Sequence, residues 1–266
     1  MRTLLTLSLI GSLAATTPAA ITFLEVAQWS YFTQTGNSAP TSADSHSFSA
    51  RIFGNVNGEI GTSTVTIPDS TTRNLTSSAF VAQYFDAGFP TMADVSNEYG
   101  AGTYSLAIST GVHAGKSDTV NYEGPVTFSE NPYFQDFLAD AQAHVSQART
   151  FEWSTTYGVT GEYTGRQNYF FLTNLTTNTT LVNTQGAGSS FGSYTLGANA
   201  LTAGHNYRAT LVYGALDQTA STAFAGAFRT GSTYSVVNAE FTAVPEPGTM
   251  AALGLGLAAL RRRRAK

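Results

Sequence analysis

The chain has 266 residues, no cysteine, 42% hydrophobic and 12% aromatic residues, and only 11% charged ones. This allows a substantial core but excludes disulfide pinning and thiolate metal sites. The formal net charge is −4, yet Arg2, Arg261, Arg262, Arg263, Arg264 and Lys266 sit at the extreme ends; between Ala20 and Ala243 seven basic residues stand against sixteen acidic ones, leaving the body near −9. Such a body excludes a grip on nucleic acid or anionic lipid, which needs a basic surface.

The first twenty residues, MRTLLTLSLIGSLAATTPAA, have one basic residue, an apolar stretch from Leu4 to Ala15 and small residues around Thr17, Ala19 and Ala20. That three-part pattern predicts a signal peptide over 1–20 that engages a Sec-type export machinery, with the cut after Ala19 or Ala20 or, alternatively, after Ala15. The stretch is too short for a membrane span.

From Ile21 onward, Thr, Ser, Gly, Asn, Tyr and Phe crowd the chain, a composition suited to an all-β fold. Phe48, Ala50 and Ile52 alternate with Ser47, Ser49 and Arg51, and Tyr104, Leu106 and Ile108 alternate with Thr103, Ser105 and Ala107. Period two predicts half-buried strands, and GNVNGE at Gly54, PDSTT at Pro68, TTNTT at Thr176 and TAGHN at Thr202 predict the turns. A boundary at Gly124–Pro125 divides a β-rich domain, 21–124, from a second one, 125–243, giving two β-sandwich-like domains.

In the second domain Asn131 can cap, Pro132 suits a first helical position, and Phe134, Phe137, Leu138, Ala141 and Val145 recur at helical spacing. They predict one short helix over 132–147, or alternatively a pair of turns, lying as a lid on a β core. Strands follow near Arg149–Trp153, Asn168–Leu172, Tyr194–Leu196, Tyr207–Tyr213 and Ser235–Val244. The stretch LTAGHNY resembles the corner of fibronectin type III and immunoglobulin-like sandwiches through Leu201, Gly204 and Tyr207, with Ala203 where those families usually have proline. The resemblance implies a tyrosine hydroxyl bonded back to the loop backbone.

Chemistry is sparse. His46, His113, His144 and His205 stand at wide, unmatched spacings, so no metal or cofactor is expected. Ser190 in GSSFG matches G-x-S-x-G but lacks the strand-to-helix context of a nucleophile elbow. Asp136 and Asp140, four residues apart on the predicted helix, are most simply solvated. No catalytic residue is assigned and the chain is read as non-enzymatic. Trp29, Tyr31, Trp153, Tyr157, Tyr163 and Tyr169 can either stack on sugars or fill a sandwich core, and core packing is the simpler expectation.

The end of the chain, VPEPGTMAALGLGLAALRRRRAK, runs from Val244 to Lys266. Pro245 and Pro247 impose an extended segment around Glu246. Gly248 to Leu260 can then form a short apolar helix of about 20 Å at 1.5 Å per residue, below the roughly 30 Å hydrocarbon core. Arg261 to Arg264 would hold the C-terminus inside. Pro245-Glu246-Pro247, the apolar helix and the terminal arginines together resemble the PEP-CTERM sorting signal of exported bacterial proteins. The resemblance implies transient anchoring in the inner membrane of a Gram-negative bacterium, recognition by an exosortase, and release to the cell surface or extracellular matrix. The expected function is therefore a structural or adhesive surface protein of a biofilm matrix. The alternatives are a carbohydrate-binding module of the exopolysaccharide and, third, a secreted hydrolase with an unrecognised site.

Overall fold

Strand-forming alternation governs the architecture. The computed structural model describes residues 20–136, 142–154, 158–160, 163–187 and 192–245. Among them the chain forms β1 (Ile21–Thr33), β2 (Ser45–Gly54), β3 (Ser63–Thr66), β4 (Thr72–Ser77), β5 (Val81–Phe89), α1 (Met92–Glu98), β6 (Gly102–Ile108), β7 (Lys116–Tyr122), β8 (Thr127–Phe128), β9 (Gln142–His144), β10 (Arg149–Glu152), β11 (Val159–Thr160), β12 (Gly165–Asn174), β13 (Thr179–Ala187), β14 (Ser193–Leu196), β15 (Asn206–Ala220) and β16 (Phe228–Val244). On β6 the buried residues are Tyr104, Leu106 and Ile108, and on β12 they are Asn168, Phe170, Leu172 and Asn174, so the sequence period of two becomes a buried and an open face.

Twelve strands share one sheet in the order β13-β12-β15-β16-β1-β2-β5-β4-β3-β6-β7, with β9 added beside β16. Its centre is the pairing of the first strand with the last: β1 runs parallel to β16 from Phe23↔Phe228 to Thr33↔Asn238 and antiparallel to β2 on its other side. This seam ties strands from before and after Gly124–Pro125 into one sheet. The sheet turns a corner at β4, which meets β5 only at Thr76↔Gln83 and Ser77↔Ala82 and gives the rest of its length to β3. The turn lets β3, β6 and β7 fold over β1 and β2.

Two cores occupy the covered face. The first packs Leu24, Val26, Phe48 and Ile52 against Val65, Tyr104, Leu106 and Val120. Phe48 stacks on Tyr99 with ring centroids 4.0 Å apart. The second packs Phe170, Leu172, Leu211 and Tyr213 under Phe134, Phe151, Trp153 and Leu196, where the small β10–β14 sheet forms the covering layer. Buried Asp118 on β7 clamps the β15–β16 connection. It accepts from the N–H groups of Thr222 and Ala223, from the Ser221 and Thr222 hydroxyls, and from Arg229 Nη1 at 3.0 Å.

At the corner stretch Tyr207 is fully buried. Its hydroxyl accepts the Thr202 N–H at 2.8 Å and a second hydrogen bond from Asn174 Nδ2 at 3.3 Å. Gly204 has φ +81°, in the left-handed region that glycine enters without strain. Leu201 sits in the second core.

The helix expected over 132–147 is not formed by the described part of that segment. Phe134 instead makes an antiparallel bridge to Trp153, and Gln142–His144 forms β9 alongside Thr242–Val244; residues 137–141 lie outside the described ones. The reason is tertiary. Gln34 satisfies both backbone groups of Phe134, its Oε1 accepting the N–H and its Nε2 donating to the carbonyl, each at 2.8 Å. Extended backbone there lets the Phe134 ring enter an aromatic cluster with Phe151, Trp153 and Phe170, which outweighs a weak local helical preference. The described helix is α1, where the Thr91 hydroxyl accepts the Asp94 N–H and the Asp94 carboxylate accepts the Thr91 N–H. It is seven residues long with one buried side chain, Val95, too short for a periodic signal.

No helix among the described residues is long and apolar enough to cross a membrane. The predicted signal peptide before Ala20 and the tail beyond Pro245, including Glu246, Pro247, Gly248–Leu260 and Arg261–Arg264, lie outside the described residues.

Candidate functional site

The two cores cover one face of the central sheet and leave the other open. Alternation places Glu25, Ala27, Trp29 and Tyr31 of β1 on that open face, and register brings partners to them. One line across the strands reads Ser47, Trp29, Tyr234, Gly214, Gln167, and a second reads Ser45, Tyr31, Val236, Val212, Tyr169. A third reads Arg51, Glu25, Thr230, Gln218. Together they form a groove of about 580 Å³ lined by aromatic rings with Glu25, Arg51, Gln167, Gln218 and Thr22. That volume lies within the range of small-ligand sites.

A glycine permits the floor. A Cβ on Gly214 would stand 2.5 Å from Tyr234 Cε1, so the bare backbone of β15 is what lets the Tyr234 ring lie across it. Trp29 stacks on that ring, centroids 4.0 Å apart and planes at 15°, and donates its indole N–H to Ser49 Oγ at 2.9 Å. Tyr169 and Phe171, two residues apart on β12, hold their rings nearly parallel along one wall, centroids 6.1 Å apart and planes at 11°. Phe23 and Phe53 form the opposite wall. Trp29, Tyr31, Tyr169 and Phe171 are half-buried, and no second layer covers them among the described residues.

The electrostatics beneath are closed. Glu25 is 1% exposed; it accepts the Tyr234 hydroxyl at 2.6 Å and pairs with Arg51 Nη2. The Arg51 guanidinium also lies 4.9 Å from the centre of the Trp29 ring and 5.4 Å from that of Phe53. Burial first and the Glu25 charge second push the Tyr234 phenol well above its ordinary range. Burial and Glu25 likewise raise Tyr169, and burial raises Tyr31. These phenols therefore stay protonated at neutral pH.

The aromatic residues singled out in the sequence divide between two faces. Trp29, Tyr31 and Tyr169 meet on the open face, Trp153 is buried in the second core, and Tyr163 takes hydrogen bonds from Arg166 outside the groove. Tyr157 lies outside the described residues. Tyr234, Phe171, Phe23, Phe53 and the Glu25–Arg51 pair join the site through cross-strand register, which no local sequence pattern records.

The other sequence candidates do not converge. His46 Nδ1 meets Ser30 Oγ at 2.9 Å, His205 Nδ1 meets Asn174 Nδ2 at 2.9 Å, and His113 Nε2 lies 3.9 Å from Glu59. His144 belongs to β9. Among the described residues no three histidines or carboxylates stand close enough to hold a metal ion. Ser190 and Asp140 lie outside the described residues, and Asp136 is exposed.

Among the described residues the fold is all-β with one short helix and an open aromatic groove. Its last residues, 243–265, match the PEP-CTERM protein-sorting motif. That motif implies an exported protein, briefly anchored in the membrane, processed by exosortase and sorted to the surface. A comparison with curated proteins finds no match. Among solved structures, the chain is similar to the BSP domain of a biofilm associated protein at 12% identity, covering 86% of this chain and 30% of that one, with a TM-score of 0.21. It is also similar to the chicken CNTN1 FN1–FN3 domains at 9% identity, 85% and 68% coverage and a TM-score of 0.23. A third similar structure is that of a 1.5-MDa bacterial ice-binding adhesin, at 10% identity, 84% and 65% coverage and a TM-score of 0.21. The chain spans under a third of the first of these, and at such scores the likenesses carry no functional weight.

Proposed function

We propose that this chain is a non-enzymatic adhesive protein of the surface or biofilm matrix of a Gram-negative bacterium, exported by Sec-type machinery, and that its open groove holds a polysaccharide. One observation carries the ligand class: partly buried Trp29, Tyr31, Tyr169 and Phe171 share an uncovered sheet face with Gln167, Gln218 and Thr22. Ring faces suit the apolar C–H faces of pyranoses, and amide and hydroxyl groups suit the sugar hydroxyls between them. Among the described residues the groove's one lining carboxylate, Glu25, is committed to Tyr234 and Arg51, so it is poorly placed to serve as half of a hydrolytic acid–base pair.

The test is retention of the exported protein on a panel of insoluble matrix polysaccharides, with the Y169A/F171A variant alongside. The expected result is retention on at least one polysaccharide and its loss in the variant. Absence of retention throughout, or equal retention of the variant, would refute the reading.

A further inference from the structure

We infer that the groove selects neutral glycan chains over acidic ones because Glu25 silences the cation of Arg51 beside its aromatic rings; the inference rests on reading the groove as a glycan site. Among the described residues Arg51 is the one cation lining the groove. An exposed arginine beside aromatic rings would attract the carboxylate of a uronic acid or a sulfate ester. Here Nη2 is engaged by Glu25, and Nε is buried, so two of its three nitrogens are withdrawn from any ligand. The full negative charge of Glu25 sits beside them, oriented by the Tyr234 hydroxyl.

An acidic sugar approaching Arg51 would therefore meet a guanidinium whose charge Glu25 already balances, on a body that carries nine more acidic than basic residues between Ala20 and Ala243. The first removes the attraction for an anion and the second opposes its approach. A neutral chain meets none of this opposition. It can lie against the Tyr169–Phe171 pair, whose rings are nearly parallel, with Gln218 offering a donor and an acceptor and Gln167 its amide N–H, since the Gln167 Oε1 already accepts the Tyr169 hydroxyl. The groove extends across β12, β15, β16, β1 and β2, about 19 Å at roughly 4.8 Å per strand spacing. That reach suits a chain segment laid across the strands rather than a single sugar.

The experiment compares two soluble oligosaccharides of equal length, a neutral β-linked glucan and a uronic acid polymer fragment, by calorimetry on the full exported protein. The wild type should prefer the neutral probe by about tenfold or more, as expected for one uncompensated charge contact. In E25Q the shape is kept but Arg51 loses its counter-charge, so the preference should shift about tenfold toward the acidic probe and the gain should fade with salt. In E25L/R51M both charges leave together and the neutral preference should persist, and in the wild type the uronate affinity should not fall as salt rises, which tests the silencing of Arg51 even if E25Q fails to fold. A wild type that prefers the uronate, an unshifted ratio in folded E25Q, or an acidic preference in E25L/R51M would overturn the selectivity while leaving glycan binding in place. Failure of the wild type to bind either probe, with no retention on the polysaccharide panel, would remove the glycan reading and this inference with it.

Discussion

Replacing Gly214 by alanine should destabilise the protein through Tyr234 alone. The new Cβ would sit 2.5 Å from Cε1, 2.8 Å from Cδ1 and 3.4 Å from Cζ of that ring, where carbon atoms prefer about 3.5–4.0 Å. The ring must therefore retreat by about 1 Å. Trp29 lies on it with centroids 4.0 Å apart, and its hydroxyl is held by Glu25 at 2.6 Å, so retreat disrupts both contacts. The backbone itself accepts alanine, because Gly214 is not among the glycines with positive φ. Overpacking of this kind costs about 1–3 kcal/mol. Removing a strand glycine returns roughly 0.5–1 kcal/mol, leaving a net loss of about 1–2 kcal/mol. For a chain of this size that is a fall of about 3–6 °C in melting temperature. The decisive assay is a double-mutant cycle by urea unfolding. In a Tyr234→Ala background the added methyl has room, so Gly214→Ala should there be neutral or slightly stabilising. If the two losses instead add within about 0.5 kcal/mol, the ring-on-glycine account of the groove floor is wrong.

Three further outcomes follow from the same physics. Burial pushes the Asp118 carboxyl up, but hydrogen bonds from Ser221 and from the backbone of Thr119, Ala223 and Thr222 outweigh it and bring it to about 2; with the folded value below the unfolded one, about 2 kcal/mol of stability is present above pH 4 and lost as pH falls toward 2. Asp118→Asn should therefore melt lower at pH 7 and show a flatter acid limb between pH 4 and 2, and an unchanged limb would refute the assignment. Tyr207→Phe should lower stability by about 1 kcal/mol, since the Thr202 N–H loses its acceptor; a melt indistinguishable from the parent would show that the hydroxyl does not pin the corner. Replacing Pro245, Glu246 and Pro247 by alanine should leave export intact while tail-bearing protein accumulates in the inner-membrane fraction, and intact-mass measurement of wild-type extracellular protein should find the terminal arginines gone. Recovery of that species still ending in Arg-Arg-Arg-Arg-Ala-Lys would mean that the tail is not processed.

What the sequence determined by itself is local. Alternation at Phe48–Ile52 and Tyr104–Ile108 foretold strands because neighbouring side chains on a strand must point to opposite faces, and the sorting motif at 243–265 is legible because it is read as a linear address. Alternation cannot say which of two faces is covered. Trp29 and Trp153 looked alike in the sequence, yet one stacks on Tyr234 in the open groove and the other is 3% exposed among Phe134 and Phe170. Nor can it pair β1 with β16, whose partners Trp29 and Tyr234 are more than two hundred positions apart. The described part of the segment expected as a helix is extended at Phe134 for the same reason: the spacing of Phe134 and Val145 suits a helix, but the side chain of Gln34 and the aromatic cluster that hold Phe134 extended come from distant chain. Covering one face of the central sheet and leaving the other open was a decision of tertiary packing, because burial is settled by which surfaces meet, and a strand's own residues specify only that it has two.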